Sequence, residues 1–171
     1  MENFTNEIID TSQLPRFEEV PFTSLHPSYW KVTLVNLILF ILIIGTGMGF
    51  AFYHIAELAE FQVYIILAFG LLMMSIVAIS CIAFRKKGYA FRNHDVLFRD
   101  GIIATNTIII PYNRVQHVAL HEGLVSRYFG LASIAIFTAG ESASDLHIPG
   151  IKKEEAENIK QLLMGKIQKQ L

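Results

Sequence analysis

Two apolar runs dominate the pattern of positions along the chain. Val32–Tyr53 and Val63–Phe84 each hold 22 residues without one Asp, Glu, Lys, Arg or His. As helices rising about 1.5 Å per residue, each would extend about 33 Å, enough to cross a hydrocarbon core of about 30 Å. The intervening His54–Gln62 is too short for a folded domain. The pattern therefore predicts a transmembrane hairpin, with helices at 32–53 and 63–84 joined by an extracytoplasmic loop at 54–62. An N-terminal arm, 1–31, precedes it, and a domain-sized segment, 85–171, follows.

After Gly88 the pattern changes. Short β-branched and aromatic runs at Tyr89–Arg92, Val96–Arg99, Ile102–Ile110, Val115–Leu120, Leu131–Thr138 and Leu146–Ile148 predict strands. Asp100-Gly101 predicts a tight hairpin between two of them, and Pro111 a strand end or edge. Glu122-Gly123 and Gly140–Asp145 punctuate others. At the C-terminus the period becomes helical: Ala156, Ile159, Leu162, Leu163 and Ile167 form one stripe, with Glu154, Glu155 and Glu157 early and Lys160, Lys166 and Lys169 late. The segment is an antiparallel meander closed by an amphipathic helix. In the arm, Pro15 and Pro21 interrupt any long helix, so a loosely ordered tail is expected. Phe17, Val20, Phe22 and Leu25 are its candidates for docking on a partner or on the chain's own domain.

Charge adds an orientation. The net charge is −1, but 1–31 carries two basic and five acidic residues, and 85–171 carries twelve basic and eight acidic. Arg85-Lys86-Lys87 lies directly at the end of the second run. Short Lys/Arg-rich flanks stay cytoplasmic, which places both termini in the cytoplasm and the loop, with Glu57 and Glu60, outside. Tyr29 and Trp30 suit the interfacial aromatic belt.

Within the first run, Gly45 and Gly49 form a small-xxx-small pair that allows close helix approach. It could serve packing against Ser75 or Ala78 of the second run, or pairing with a second copy. Neither run carries a residue suited to proton or ion transfer, which argues against a channel or transporter. The lone Cys81 excludes an intrachain disulfide.

Catalytic and metal chemistry find little support. His117 and His121 share a strand face about 13 Å apart, too far for one metal, and His94 and His147 lie on other segments. Ser126, Ser133, Ser142 and Ser144 lack a Gly-x-Ser-x-Gly setting. No metal or cofactor is expected, and no enzyme. Arg114 and Gln116 alternate on one strand face, where a structural role is preferred; Arg127 or Arg114 is expected to pair with Asp95 or Glu122, and Tyr128-Phe129 to fill the core. The remaining site candidate is basic: Arg85, Lys86 and Lys87, extended by Arg92, facing anionic headgroups at about 1 kcal/mol per residue. Interleaved acids argue against nucleic acid as a partner.

Pro111-Tyr112-Asn113-Arg114-Val115-Gln116-His117-Val118, then Arg127-Tyr128-Phe129-Gly130-Leu131-Ala132 and Thr138-Ala139-Gly140, resembles the bacterial pleckstrin-homology-like (PH) domain of YdbS-like membrane proteins. Arg92–Gly101, Ile148-Pro149-Gly150-Ile151 and the hairpin prefix fit as well, so the resemblance covers about residues 26–168. It implies a bent antiparallel sheet of about seven strands with one C-terminal helix, and a larger PH-domain relative as a membrane-protein partner. Three functions follow as expectations. The first is a membrane-anchored interaction or scaffold module in the bacterial cytoplasmic membrane. The second is a sensor of anionic lipid headgroups. The third is an accessory subunit of a transporter or enzyme. A homo-oligomer is a further possibility.

Overall fold

Each apolar run forms one continuous helix in the computed structural model, which describes residues 19–138 and 146–168. Helix α1 is Ser28–His54 and α3 is Gln62–Lys86; a short helix α2, Ala56–Ala59, lies in the turn between them. Both long helices exceed the apolar runs. Pro27, already helical at φ −54°, opens α1, so Tyr29 and Trp30 belong to its first turn and stack near Phe84 of α3, at 6.4 and 6.1 Å between ring centroids. Both helices are long and apolar enough to cross a membrane.

Seven strands are described, in two antiparallel sheets. The first has the order β1-β2-β3-β4, from Thr23–Ser24, Gly88–Phe91, Asp95–Asp100 and Asn106–Pro111. The second has the order β5-β6-β7, from Val115–His121, Leu131–Thr138 and Leu146–Lys152. A 3-10 turn at Tyr112–Arg114 joins β4 to β5, and helix α4, Leu124–Tyr128, joins β5 to β6. Helix α5, Lys153–Gln168, packs across β5, β6 and β7. The core lies among these layers: Phe98, Ile110, Tyr112, Ile134, Ile136, Leu146 and Ile148 are buried with Ala156 and Leu163 of α5. Tyr89 ties the sheet to the helix, its hydroxyl donating to Glu155 Oε1 at 2.9 Å. Burial and that carboxylate both raise its pKa well above the usual phenol range.

The arm departs from the expected loose tail. Thr23 pairs with Tyr89 and Ser24 with Gly88, Leu25 is buried in the core, and the His26 backbone N–H donates to the Gly150 carbonyl at 2.9 Å. The domain thus begins before the hairpin, and the hairpin is inserted between β1 and β2. Both connections are short: Leu25–Pro27 leads into α1, and Lys87 alone separates α3 from β2. Residues 1–18, which include Phe17, and residues 139–145, which include Ser142 and Ser144, lie outside the described residues.

Two strand expectations are corrected. Residues 102–105 are not strand; Gly101 has φ +119° and opens a five-residue loop before Asn106 pairs with Asp100. A Cβ on Gly101 would lie 1.9 Å from the Ala104 carbonyl oxygen, so only glycine closes this loop. In β7, Pro149 and Gly150 stand opposite the single Ser133, with Gly150 at φ +67°; this β-bulge carries the strand on to Lys152.

Leu163 is 1% exposed and Leu162, its neighbour, 48%. Leu163→Ala is expected to cost about 2–5 kcal/mol, from lost burial plus the cavity left behind. Leu162→Ala should cost about 0.5 kcal/mol or less. Thermal unfolding of the two variants in detergent compares them directly.

Candidate functional site

The end of α3 delivers Arg85 and Lys86 from its last turn and Lys87 from the next residue. Strand pairing brings a fourth cation to them. The β2–β3 hairpin turns at Asn93-His94, with the Arg92 N–H donating to the Asp95 carbonyl, and this register sets Gly88 opposite Arg99. The arm closes the other side: Phe22 lies under the Arg99 guanidinium at 4.2 Å. A Cβ on Gly88 would press on Phe22 and the Thr23 carbonyl, at 3.1 and 3.3 Å, so glycine there lets the arm approach.

The result is a cavity of about 290 Å³ lined by Phe22, Ser24, Arg85, Lys86, Lys87, Gly88, Arg99 and Thr105. Four of these residues are cations and none is a carboxylate. Asp100 follows Arg99 but points to the opposite face of the strand and does not line the cavity. The Lys86 ammonium also donates to the Ile102 carbonyl at 2.5 Å, holding the Gly101–Thr105 loop beside the end of α3. Ser24 and Thr105 add polar residues to the lining. Four cations around a cavity of this size suit a phosphate monoester or diester group.

Arg92 does not join this group. Its guanidinium is forked onto Asp95, with Nε donating to Oδ1 at 2.6 Å and Nη2 to Oδ2. It thus pairs within its own turn, and its backbone carbonyl accepts from the Tyr112 hydroxyl at 2.7 Å. Burial and Asp95 push the Tyr112 pKa up to about 12, against the lowering effect of Arg92. The expected Arg127 or Arg114 partnerships are replaced too, because Glu122 pairs with Lys153 at 2.9 Å. Gln116 sits at a register shift in β5 and is exposed, as is Arg114. Tyr128, expected in the core, is 86% exposed: α4 ends at it and turns it outward, leaving Phe129 half-buried.

Gly45 and Gly49 do not meet the second helix. A Cβ on either would have no atom within 4 Å, so the expected contact with Ser75 or Ala78 is absent and this face of α1 is open. His117 is stacked on Phe137 at 4.1 Å. Among the described residues, no group of three or more His, Cys, Asp or Glu could hold a metal ion.

The pKa of His147 is lowered by partial burial, then by His121 and by Lys87. The folded state therefore binds this proton less readily than the unfolded chain. Stability should be unaffected above the ordinary imidazole range and should fall as pH drops through it. Thermal unfolding at pH 7.5 and 5.5 measures the slope, and His147→Gln should reduce it.

A four-plus-three antiparallel arrangement closed by one C-terminal helix and carried on two apolar helices defines a membrane-anchored PH-like domain. The chain belongs to the bacterial PH domain family, whose model matches residues 32–167. It is 31% identical over 101 residues to the UPF0699 transmembrane protein YdbT of Bacillus subtilis (strain 168), covering 58% of this chain and 20% of that protein. It is 32% identical over 72 residues to the UPF0699 transmembrane protein YdbS of the same organism, covering 42% of this chain and 43% of that protein. The chain thus aligns with less than half the length of either relative. No solved structure matches. The family match begins after β1, so neither the arm strand nor Phe22 and Ser24 of the cavity falls within it. The protein is a membrane protein with transmembrane helices and a bacterial PH domain.

Proposed function

We propose that this protein is a non-enzymatic, membrane-anchored binding module of the bacterial cytoplasmic membrane, and that its cavity holds the anionic headgroup of a phospholipid. Both termini and the PH-like domain lie in the cytoplasm in this reading, as Arg85-Lys86-Lys87 favours. The observation that carries it is the cavity itself: four cations and no carboxylate, formed where α3 ends. Cytoplasmic leaflets carry anionic lipid, and each Lys or Arg near the surface contributes about 1 kcal/mol. Nothing in the reading needs a reaction; the geometry offers positioned charge and donors. The intact chain in detergent, titrated with phosphatidylglycerol and with phosphatidylcholine, should retain the former selectively by native mass spectrometry. Equal retention of the two lipids would remove the headgroup from the proposal.

A second reading, a scaffold for another membrane protein such as a larger PH-domain relative, is supported by strand β4. Among the described residues it is the edge of its sheet, its Ile109 is 41% exposed, and it borders a cleft of about 400 Å³ lined by Ile108, Ile109, Ile110, Pro111, Arg114 and Thr138. Such an edge suits addition of a partner strand. A photo-crosslinker at position 109 should trap one defined membrane partner in cells. Absence of any adduct would count against this reading. The open face at Gly45 and Gly49 would suit a second copy, with oligomeric state in detergent as its test.

A further inference from the structure

Among the described residues of the domain, three large apolar side chains are almost wholly uncovered: Ile103 is 100% exposed, Leu124 92% and Tyr128 86%. The next most exposed, Leu162, is 48%. The three are not scattered. Ile103 tips the Gly101–Thr105 loop, which Lys86 of α3 grips through the Ile102 carbonyl. Leu124 and Tyr128 stand four residues apart on α4, so they share one helix face, and α4 packs against α1. The one buried residue of α1 is Val32, near the start of its apolar run. The uncovered residues thus sit beside the two points where the hairpin leaves the domain, one beside each helix.

We propose that Ile103, Leu124 and Tyr128 are set into the boundary between headgroups and acyl chains of the leaflet on the domain's side, so that the domain lies seated on the bilayer. The occupant of this apolar surface is the lipid of the membrane that the hairpin already crosses. Continuity argues for it. The domain that bears the surface is joined to the apolar helices by Lys87 alone on one side and by Leu25–Pro27 on the other, and α4 packs directly against α1. Connections this short leave the domain little freedom to turn the surface away. The flanking chemistry is also interfacial: Tyr128 pairs an apolar ring with a polar tip, and the exposed Arg127 adjoins it, while Lys86 reaches the loop that Ile103 tips. An apolar loop tip beside cations is the composition by which surface segments hold to a bilayer. Leu25 and Tyr29 meanwhile keep the start of α1 fixed to the core.

The inference rests on the hairpin crossing the membrane, and its test separates it from the headgroup site. In a Cys81→Ser background, Ile103→Cys, Tyr128→Cys and, as a control on the exposed side of α5, Glu157→Cys are each labelled with nitrobenzoxadiazole. The full chain is reconstituted into vesicles of phosphatidylcholine alone, and into vesicles with added phosphatidylglycerol. Labels at 103 and 128 should be blue-shifted and quenched by brominated acyl chains in both vesicles. Aqueous iodide should quench them on the order of tenfold less than the label at 157, as burial of a large apolar group implies. Iodide access equal to that at 157 overturns the proposal, as does protection without quenching by bromolipid, which would mark a protein cover. Insertion only with phosphatidylglycerol also overturns it, by making charge the driver. Insertion in both vesicles, together with equal retention of phosphatidylglycerol and phosphatidylcholine in the detergent titration, would leave this proposal standing and count against the headgroup site alone.

Discussion

Alanine at position 150 is expected to lower the unfolding temperature of the protein in detergent by about 10 °C or more, at roughly 4 °C per kcal/mol. Two costs add. Gly150 has φ +67°, a left-handed conformation that costs a non-glycine residue about 1–3 kcal/mol. Its new Cβ would also lie 2.6 Å from Tyr29 Cγ and 2.8 Å from Tyr29 Cβ. Overpacking of this kind costs about 1–3 kcal/mol more. Tyr29 cannot easily yield: it is in the first turn of α1, its ring lies near Phe84 of α3, and the His26 N–H is held on the Gly150 carbonyl. Gly130 supplies the control, because it has φ +65° but no atom within 4 Å of an added Cβ, so Gly130→Ala should show the conformational cost alone. The pair Tyr29→Ala and Gly150→Ala completes a double-mutant cycle, with an expected coupling of about 1–3 kcal/mol. A cycle with no coupling would mean that α1 is not seated on β7. The expected loss matters beyond stability, since this contact fixes the domain against the hairpin.

That contact was hidden in the sequence, and the reason is physical. The spans were legible because 22 residues without charge can satisfy their backbone only as a helix in lipid. Their ends were less so: Ser28–Lys31 continue α1 because Pro27 starts the helix and Phe84 offers Tyr29 and Trp30 a surface. The strands at Val115–His121 and Leu131–Thr138 are legible as β-branched and aromatic runs bounded by turn residues. β1 does not, being two residues long; Thr23 and Ser24 become strand only because β2 presents an unpaired edge. Residues 102–105 have the composition of a strand, but Gly101 bends the backbone away before Asn106.

The site divides in the same way. Arg85, Lys86 and Lys87 are adjacent in sequence and the end of α3 keeps them together. Arg92 is near the group along the chain, yet a bidentate carboxylate three residues on claims it. Arg99 belongs to the cavity and was missed. A signal existed: centring the β2–β3 turn on Asn93-His94 puts Arg99 opposite Gly88. Phe22 and Ser24 could not be found without knowing that the arm returns to the sheet. An aromatic pair such as Tyr128-Phe129 reads as core from composition; a five-residue helix that ends at Tyr128 and packs beside α1 reverses that expectation for Tyr128.

Neutralising Arg85, Lys87 and Arg99 together, each to Gln, is expected to weaken retention of phosphatidylglycerol by roughly 100-fold. The figure follows from about 1 kcal/mol for each cation near the surface and 1.4 kcal/mol for each decade of affinity. Lys86 is kept because its ammonium holds the Ile102 carbonyl, so the Gly101–Thr105 loop stays in place. Keeping it, with Lys31, also retains positive charge at the membrane exit, and a reporter after Leu171 should remain cytoplasmic. Phosphatidylcholine retention should not change. Raising ionic strength from about 0.05 to 0.5 M shortens the screening length from well above 10 Å to well below it. Salt should therefore weaken phosphatidylglycerol binding to the native chain and have little left to weaken in the variant. Lys160 and Arg114, exposed and outside the cavity, test whether position matters or only net charge: Lys160→Gln with Arg114→Gln should leave retention within about threefold of native. If that pair lowers retention as much as an equal charge change in the cavity, the protein's overall field attracts the lipid and the cavity is no site. If the cavity variant alone loses it, the geometry built by α3, β3 and the returning arm is what selects the headgroup.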